Sequence, residues 1–371
     1  MYLSKLEVNQ FRNYKKETIK LCDKTNIFIG NNAQGKTNII ESIYILALTK
    51  SHRLGFENNI IKDGYQSGGV KGFLRNSSKL LELEVKFLLD SKKVFVNNKE
   101  IKKISSYISN MNVIMFSPTD LDIINGSPKV RRNLLNTQIS QLYPMYVTYL
   151  NEYNKILKTR NEYLKQMSIN GLTDNRYLDI INEKLVDRAV LIFKYRKQYL
   201  DQVNNRIGNI YKNIMNINRL NILYENSLEL DKFDEEIIKN KFYHKLKTNF
   251  KRELSQGMTL YGPHRDDFSF YIDKQNMKFY ASQGQKRLAI IAFKLSEVQI
   301  FINEKNDSPI LLLDDIFSEL DIEKRNALIK YIPDNIQTII TTTDLKNINK
   351  KIIKNSKIFV VDHGTINEKA G

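Results

Sequence analysis

The chain has 371 residues and carries 58 Lys and Arg against 41 Asp and Glu, a formal net charge of +17 at pH 7 that suits a polyanionic partner such as nucleic acid. Its one cysteine, Cys22, excludes an internal disulfide framework and a cysteine-rich zinc site, and four scattered histidines (His52, His244, His264, His363) lack metal-ligand spacing. There is no N-terminal apolar leader and no uninterrupted apolar stretch of about 18 residues, so neither secretion nor membrane spanning is expected and the predicted compartment is the cytoplasm.

In chain order, the first informative segment is a strand, a turn and a helix. Asn26-Ile27-Phe28-Ile29 reads as a short buried strand, and Asn38 to Leu48 carries Ile39, Ile40, Ile43, Leu46 and Ala47 at helical spacing. Between them stands Gly30-Asn31-Asn32-Ala33-Gln34-Gly35-Lys36-Thr37, a complete G-x-x-x-x-G-K-[ST] loop. Gly30 and Gly35 let successive N–H groups turn inward onto phosphate oxygens, and the helix N-terminus adds its partial positive charge. Lys36 is expected to reach the β- and γ-phosphates of ATP, and the Thr37 hydroxyl to hold Mg²⁺. Further on, Leu80 to Phe87 and Lys93 to Val96 alternate like half-exposed strands joined through Asp90-Ser91-Lys92.

From about Arg131 to Leu254 the period becomes helical. Leu134, Leu135, Ile139, Leu142, Tyr146, Tyr149, Leu150 and Tyr153 fall on one stripe, and Leu178, Ile181, Leu185, Ala189, Ile192 and Phe193 on another, running on to Tyr199 and Val203. Asn170 to Asn175 reads as the turn between two long helices. The opposite face is basic. It is either a solvated surface or a track for phosphates, with Arg131, Arg132, Lys155, Lys158, Arg160 and Lys165 as candidate members. At about 1.5 Å per helical residue this segment is short for a long coiled-coil arm, and a compact helical lobe fits it better.

Ala281-Ser282-Gln283-Gly284-Gln285-Lys286-Arg287 is a polar turn running into the apolar helix pattern from Leu288 to Leu295. Ser282 is there either a simple N-cap or the hydroxyl of a second anion site. Ile310-Leu311-Leu312-Leu313 then reads as a strand buried on both faces, typical of a parallel sheet, ending in Asp314 and Asp315. Open α/β sheets bind ligands at such strand ends. Asp314 is expected to hold Mg²⁺, directly or through water. Asp315 is expected to orient or deprotonate an attacking water, although a plain turn residue would look the same. Ser318-Glu319-Leu320-Asp321 follows, and Gln337 to Thr343 reads as another core strand. Lys36 and Asp314 thus describe one phosphate site from opposite ends of the chain. The expected organisation is an α/β ATPase lobe built from residues 1–130 and 255–371, with a helical lobe over 131–254 inserted between.

This order of glycine loop, Ser-Gln-Gly-Gln signature, Leu-Leu-Leu-Asp-Asp and Ser-Glu-Leu-Asp resembles the ABC-type ATPase heads of DNA repair, and within them the RecF family. Further matching stretches are Asn9-Gln10-Phe11-Arg12-Asn13-Tyr14, Lys50-Ser51-His52-Arg53, Phe116-Ser117-Pro118, Gly126-Ser127-Pro128, Arg131-Arg132 and Tyr261-Gly262-Pro263-His264-Arg265-Asp266. The resemblance implies an ABC-type P-loop ATPase head that takes ATP and Mg²⁺ and dimerises head to tail. Each nucleotide would lie between one glycine loop and the signature of the twin, where Ser282, Gln283, Gly284 and Gln285 close on the γ-phosphate. Asp321 would lie at the same interface, and Arg12 would approach the nucleotide. The resemblance also implies a clamp on single-stranded, gapped or junction DNA that helps RecR and RecO load the strand-exchange recombinase and supports the SOS response.

Three departures point to a slow, switch-like ATPase, and the resemblance implies that DNA stimulates it. Asp315 replaces the Glu of transporter-type heads, Thr343 and Asp344 stand where a switch His is usual, and Ser117 stands where a Gln is usual. The rival readings are a transporter's ATP-binding subunit and a P-loop small-molecule kinase. The first would dock on a membrane partner; the second would need no signature helix. His264, beside Arg265, Asp266 and Asp267, is read as structural.

Overall fold

Because the helix Lys36–Leu48 is apolar on almost every side, with ten of its residues buried, it has to be covered from more than one direction. The computed structural model, which describes residues 1–53, 59–76, 79–171, 176–215, 220–318, 320 and 322–369, covers it with two sheets. The chain divides into two units. One comprises Met1–Leu121, Asn213–Asn216 and Arg287–Gly371; the other comprises Asp122–Lys212 and Ile217–Lys286.

In the first unit, the sheet that carries the phosphate loop orders its strands Thr365–Glu368, Ser356–Asp362, Thr25–Ile29, Thr338–Thr342, Ile310–Asp314 and Val113–Phe116. All neighbours are parallel except the edge strand Thr365–Glu368. The run Ile310–Asp314 is buried at every position, as a strand covered on both faces must be. The second sheet is antiparallel, in the order Tyr14–Lys20, Tyr2–Phe11, Ser67–Asn76, Lys79–Leu88, Ser91–Val96 and Lys99–Glu100. Leu3, Leu6, Val8, Val70, Leu74, Leu83 and Val85 of that sheet share one apolar core with Ile39, Ile40, Ile43 and Leu46 of the helix and with Leu312 and Ile339 of the parallel sheet. At about 25 cal/mol per Å² of apolar surface removed from water, such a core is what fixes the helix, and hence the loop before it.

The second unit differs from the sequence expectation in three ways. Its limits fall at Asp122 and Lys286, wider than 131–254, because it holds a three-stranded antiparallel sheet of Gln275–Asn276, Asp267–Ile272 and Leu220–Glu225 besides helices. The Ser282–Gln285 segment falls in this unit and not with Arg287–Gly371. The stripe read as continuous from Leu134 to Tyr153 is cut into helices Pro128–Leu142 and Pro144–Asn170. Pro144 explains the break, since it has no N–H for the preceding turn and pushes Tyr143 out of the helical region, to φ −128° and ψ 90°. Gly171 ends the second helix with φ 64°, and the remainder of the expected turn lies outside the described residues.

Candidate nucleotide site

The glycine loop is shaped by its own dihedrals and braced from two sides. Gly35 has φ +117°, a left-handed value, and a Cβ there would fall 2.5 Å from Asn13 Nδ2 and 2.7 Å from the Tyr14 hydroxyl. Those two side chains are the brace. Asn13 Nδ2 donates to the Gln34 carbonyl at 3.0 Å, and the Tyr14 hydroxyl to the Gly35 carbonyl at 3.0 Å. From the other side the His363 N–H donates to Gln34 Oε1 at 2.6 Å. Asn31, Asn32 and Ala33 stay exposed, and Gly30 is half-buried. Lys36, 7% exposed, curls its ammonium into the loop and donates to the Gly30 and Asn31 carbonyls, each at 2.7 Å. Burial lowers its pKa, and the charges of Asp315 and Asp314 pull it back upward. Phosphate oxygens would offer that cation better acceptors than two neutral carbonyls.

Thr37 and Asp314, which come from opposite ends of the chain, meet here: the Thr37 hydroxyl donates to Asp314 Oδ1 at 3.1 Å. Parallel register places Thr341 directly beside Asp314. Its hydroxyl donates to the same Oδ1 at 2.7 Å and accepts from the Asp315 N–H at 3.0 Å. Burial raises the Asp314 pKa, against the hydrogen bonds from Thr341 and Thr37. Asp315 has φ +48°, a strained value for a residue with a Cβ, and its Oδ1 is buried with no hydrogen-bond partner among the described residues. An unmatched buried acceptor next to a hydroxyl–carboxylate pair has the hard-oxygen chemistry that Mg²⁺ and its waters require.

Arg12, expected to approach the nucleotide, is held by Glu41. Its Nε and Nη2 donate to the two Glu41 oxygens at 2.9 and 2.6 Å, and Nη1 donates to the Asn59 carbonyl at 2.8 Å. Glu41 is fully buried on the glycine-loop helix, and also accepts from the Ser51 hydroxyl at 2.6 Å with Arg53 at 3.7 Å. Burial pushes its pKa up, but the hydrogen bonds and two guanidinium charges win and hold it below the ordinary value. His52, beside this cluster, is pushed down to about 4 by burial. Sequence reasoning missed Glu41, Thr341, Asn13 and Tyr14 as working parts. An acid inside an apolar helix was the one visible signal, at Glu41; the role of Thr341 depends on strand register, which no local pattern displays.

In the other unit, Ser282 and Gln285 form a reciprocal capping box. The Ser282 hydroxyl accepts from the Gln285 N–H at 3.2 Å, and Gln285 Oε1 accepts from the Ser282 N–H at 2.9 Å. Ser282 is therefore an N-cap, and its hydroxyl proton stays available for donation. Ser282 and Gln283 are exposed, Gly284 and Gln285 half-buried. Asp321 and Glu319 lie outside the described residues. Asp344 caps a short turn by accepting from the Lys346 N–H at 2.9 Å, and Ser117 caps another by accepting from the Thr119 N–H at 3.1 Å.

Two members of the predicted phosphate track are core residues. Arg131 is 5% exposed and forks onto Asp267 at 2.6 and 2.8 Å. Arg160 is fully buried and donates to Glu253, Thr259 and Asn182, each at 2.7 Å. Arg132 is half-buried and donates to the Asp266 carbonyl at 2.9 Å, so exposed Lys155, Lys158 and Lys165 alone keep the geometry of a surface track. His264 is structural: its Nε2 lies 3.0 Å from the Thr259 carbonyl and its Nδ1 2.7 Å from the Tyr153 hydroxyl. A carbonyl only accepts, so Nε2 carries the proton and Nδ1 accepts from Tyr153.

Known proteins share this chain's sequence and fold. The model of the RecF/RecN/SMC N terminal domain matches residues 2–367. DNA replication and repair protein RecF of Lactobacillus johnsonii (strain CNCM I-12250 / La1 / NCC 533) is 38% identical over 100% of both chains. Its counterpart in Bacillus cereus (strain G9842) is 36% identical over 99% of this chain and 98% of its own. The solved structure of the recombination mediator protein RecF-ATP in the RecFOR pathway superposes with a TM-score of 0.92 at 32% identity, covering 100% of this chain and 98% of the other. An Smc head bound to the C-winged helix domain of ScpA shares the fold, with a TM-score of 0.54 at 15% identity over 100% of this chain and 98% of the other.

Proposed function

This chain belongs to the RecF family, within the RecF/RecN/SMC N-terminal-domain proteins, and from that premise we propose that it is an ATP-dependent DNA-binding protein of recombinational repair and replication restart. ATP binding is its signal: two copies close head to tail on gapped or single-stranded DNA, help recombination mediators of the RecR and RecO type load the strand-exchange recombinase, and support the SOS response in the cytoplasm. Hydrolysis is slow, is stimulated by DNA and serves as the reset.

The observation that carries this reading is the 3.1 Å hydrogen bond between Thr37 and Asp314, which brings the glycine loop and the strand-end carboxylates into one site. Lys36 binds the β- and γ-phosphates. Thr37 and Asp314 hold Mg²⁺, which when bound supplies charge neutralisation across the phosphates. Asp315, with its free buried oxygen, orients the attacking water and takes its proton. Ser282 donates its hydroxyl to the γ-phosphate held by the twin, which is why ATP and not ADP closes the pair.

Sedimentation of the protein with ATP, with ADP and without nucleotide, each with and without a gapped duplex, tests the proposal. A dimer on DNA formed only with ATP is the expected result. A monomer indifferent to both ligands would overturn the clamp while leaving the phosphate site intact.

A further inference from the structure

Immediately before the capping box, Phe279 and Tyr280 point into solvent with 73% and 72% of their surface exposed, more than any other aromatic side chain among the described residues. They are not on a loose tail. The short helix Met277–Tyr280 is anchored by Met277, 1% exposed, and capped by Asn276, whose Oδ1 accepts from the Lys278 N–H at 2.9 Å. Lys286, 7% exposed, ties it down by donating to the Lys278 carbonyl and to Asn125 Oδ1, both at 2.9 Å. Two large rings are thus displayed on a fixed backbone. Holding them there costs apolar hydration with no return inside the subunit, and pre-ordered aromatics lose little entropy on association.

We propose that Phe279 and Tyr280 are the aromatic anchor of the nucleotide-dependent contact with a second copy of this chain. The inference rests on the head-to-tail reading above. If Ser282 reaches a phosphate held by the twin, chain geometry keeps the Tyr280 Cα within about 7 Å of the Ser282 Cα and the Phe279 Cα within about 11 Å, inside the area that the contact must cover. Rings of this kind bury roughly 150–250 Å² each and dominate interface energetics. Twofold repetition would place two such pairs in each dimer.

The test compares wild type, the double variant Phe279→Ser/Tyr280→Ser, and the conservative pair Phe279→Tyr/Tyr280→Phe by sedimentation in ATP across a protein dilution series. ATP binding to the dilute monomer is followed with a fluorescent ATP analogue. The serine variant should bind nucleotide as wild type does, yet need at least about tenfold more protein to dimerise, while the conservative pair dimerises normally. A wild type that dimerises beside a serine variant that dimerises at the same concentration overturns the anchor and leaves the clamp standing. A serine variant that dimerises normally but loses single-stranded DNA makes the rings a base-stacking platform, which also overturns it. A wild type that stays monomeric in ATP removes the head-to-tail reading itself, and the anchor with it.

Discussion

Thr341 stands beside Asp314 in parallel register, and one hydroxyl serves both carboxylate residues, donating to Asp314 Oδ1 at 2.7 Å and accepting from the Asp315 N–H at 3.0 Å. A side chain of that kind decides where the proposed magnesium carboxylate points. Thr341→Val keeps the shape and removes both bonds, leaving the part-buried Asp315 N–H without its acceptor. The expected loss of stability is about 1–3 kcal/mol, read from urea unfolding. ATP affinity should fall in excess Mg²⁺ and stay unchanged in EDTA. An equal fall in both conditions would show that Thr341 supports the strand and not the carboxylate.

Asp315→Asn preserves the strained turn, since Asn tolerates positive φ as Asp does. It removes the charge that would take a proton from water. Nucleotide binding and ATP-driven association should persist while turnover drops about a hundredfold or more. Unchanged steady-state hydrolysis would take Asp315 out of the reaction.

The phosphate loop was legible because its determinants are local. Strand Thr25–Ile29 and helix Lys36–Leu48 lie within two residues of the expected Asn26–Ile29 and Asn38–Leu48, since apolar period and glycine spacing specify both. Arg131 and Arg160 were misread for the opposite reason. Charged residues on a helix usually face water, and nothing near them in sequence announces partners 136 and 93 positions away in Asp267 and Glu253. The extent of the second unit was hidden for a similar reason, because helical periodicity stops near Leu254 while the unit continues through a small sheet to Lys286.

That correction separates two kinds of basic residue. Arg160→Ala leaves the fully buried Glu253 carboxylate uncompensated, and should cost about 3–5 kcal/mol in chemical unfolding. Replacing Lys155, Lys158 and Lys165 together by Gln should leave stability nearly unchanged, because all three are exposed. If they meet phosphates, the slope of log affinity for single-stranded DNA against log salt becomes shallower by about 2. An unaltered slope would return these lysines to the solvated surface.

His264 gives the fold a pH dependence of definite sign. Burial pushes its pKa down to about 4 from an ordinary 6.5, and a charged ring would lose the Nδ1 acceptor that binds the Tyr153 hydroxyl at 2.7 Å. Between pH 6.5 and about 4 the unfolded chain therefore takes up a proton that the folded chain refuses. This contribution is fully present above pH 6.5 and is lost as pH falls toward about 4. His52, also held at about 4, acts in the same direction. Asp120, Asp266 and Asp314, raised by burial, act in the opposite one. The measurement is accordingly a difference: urea midpoints of wild type and His264→Gln at several pH values across the window. Wild type should hold its advantage near neutrality and give it up as the pH drops. A gap between the two proteins that does not change with pH would mean that His264 contributes shape and hydrogen bonds but no proton linkage.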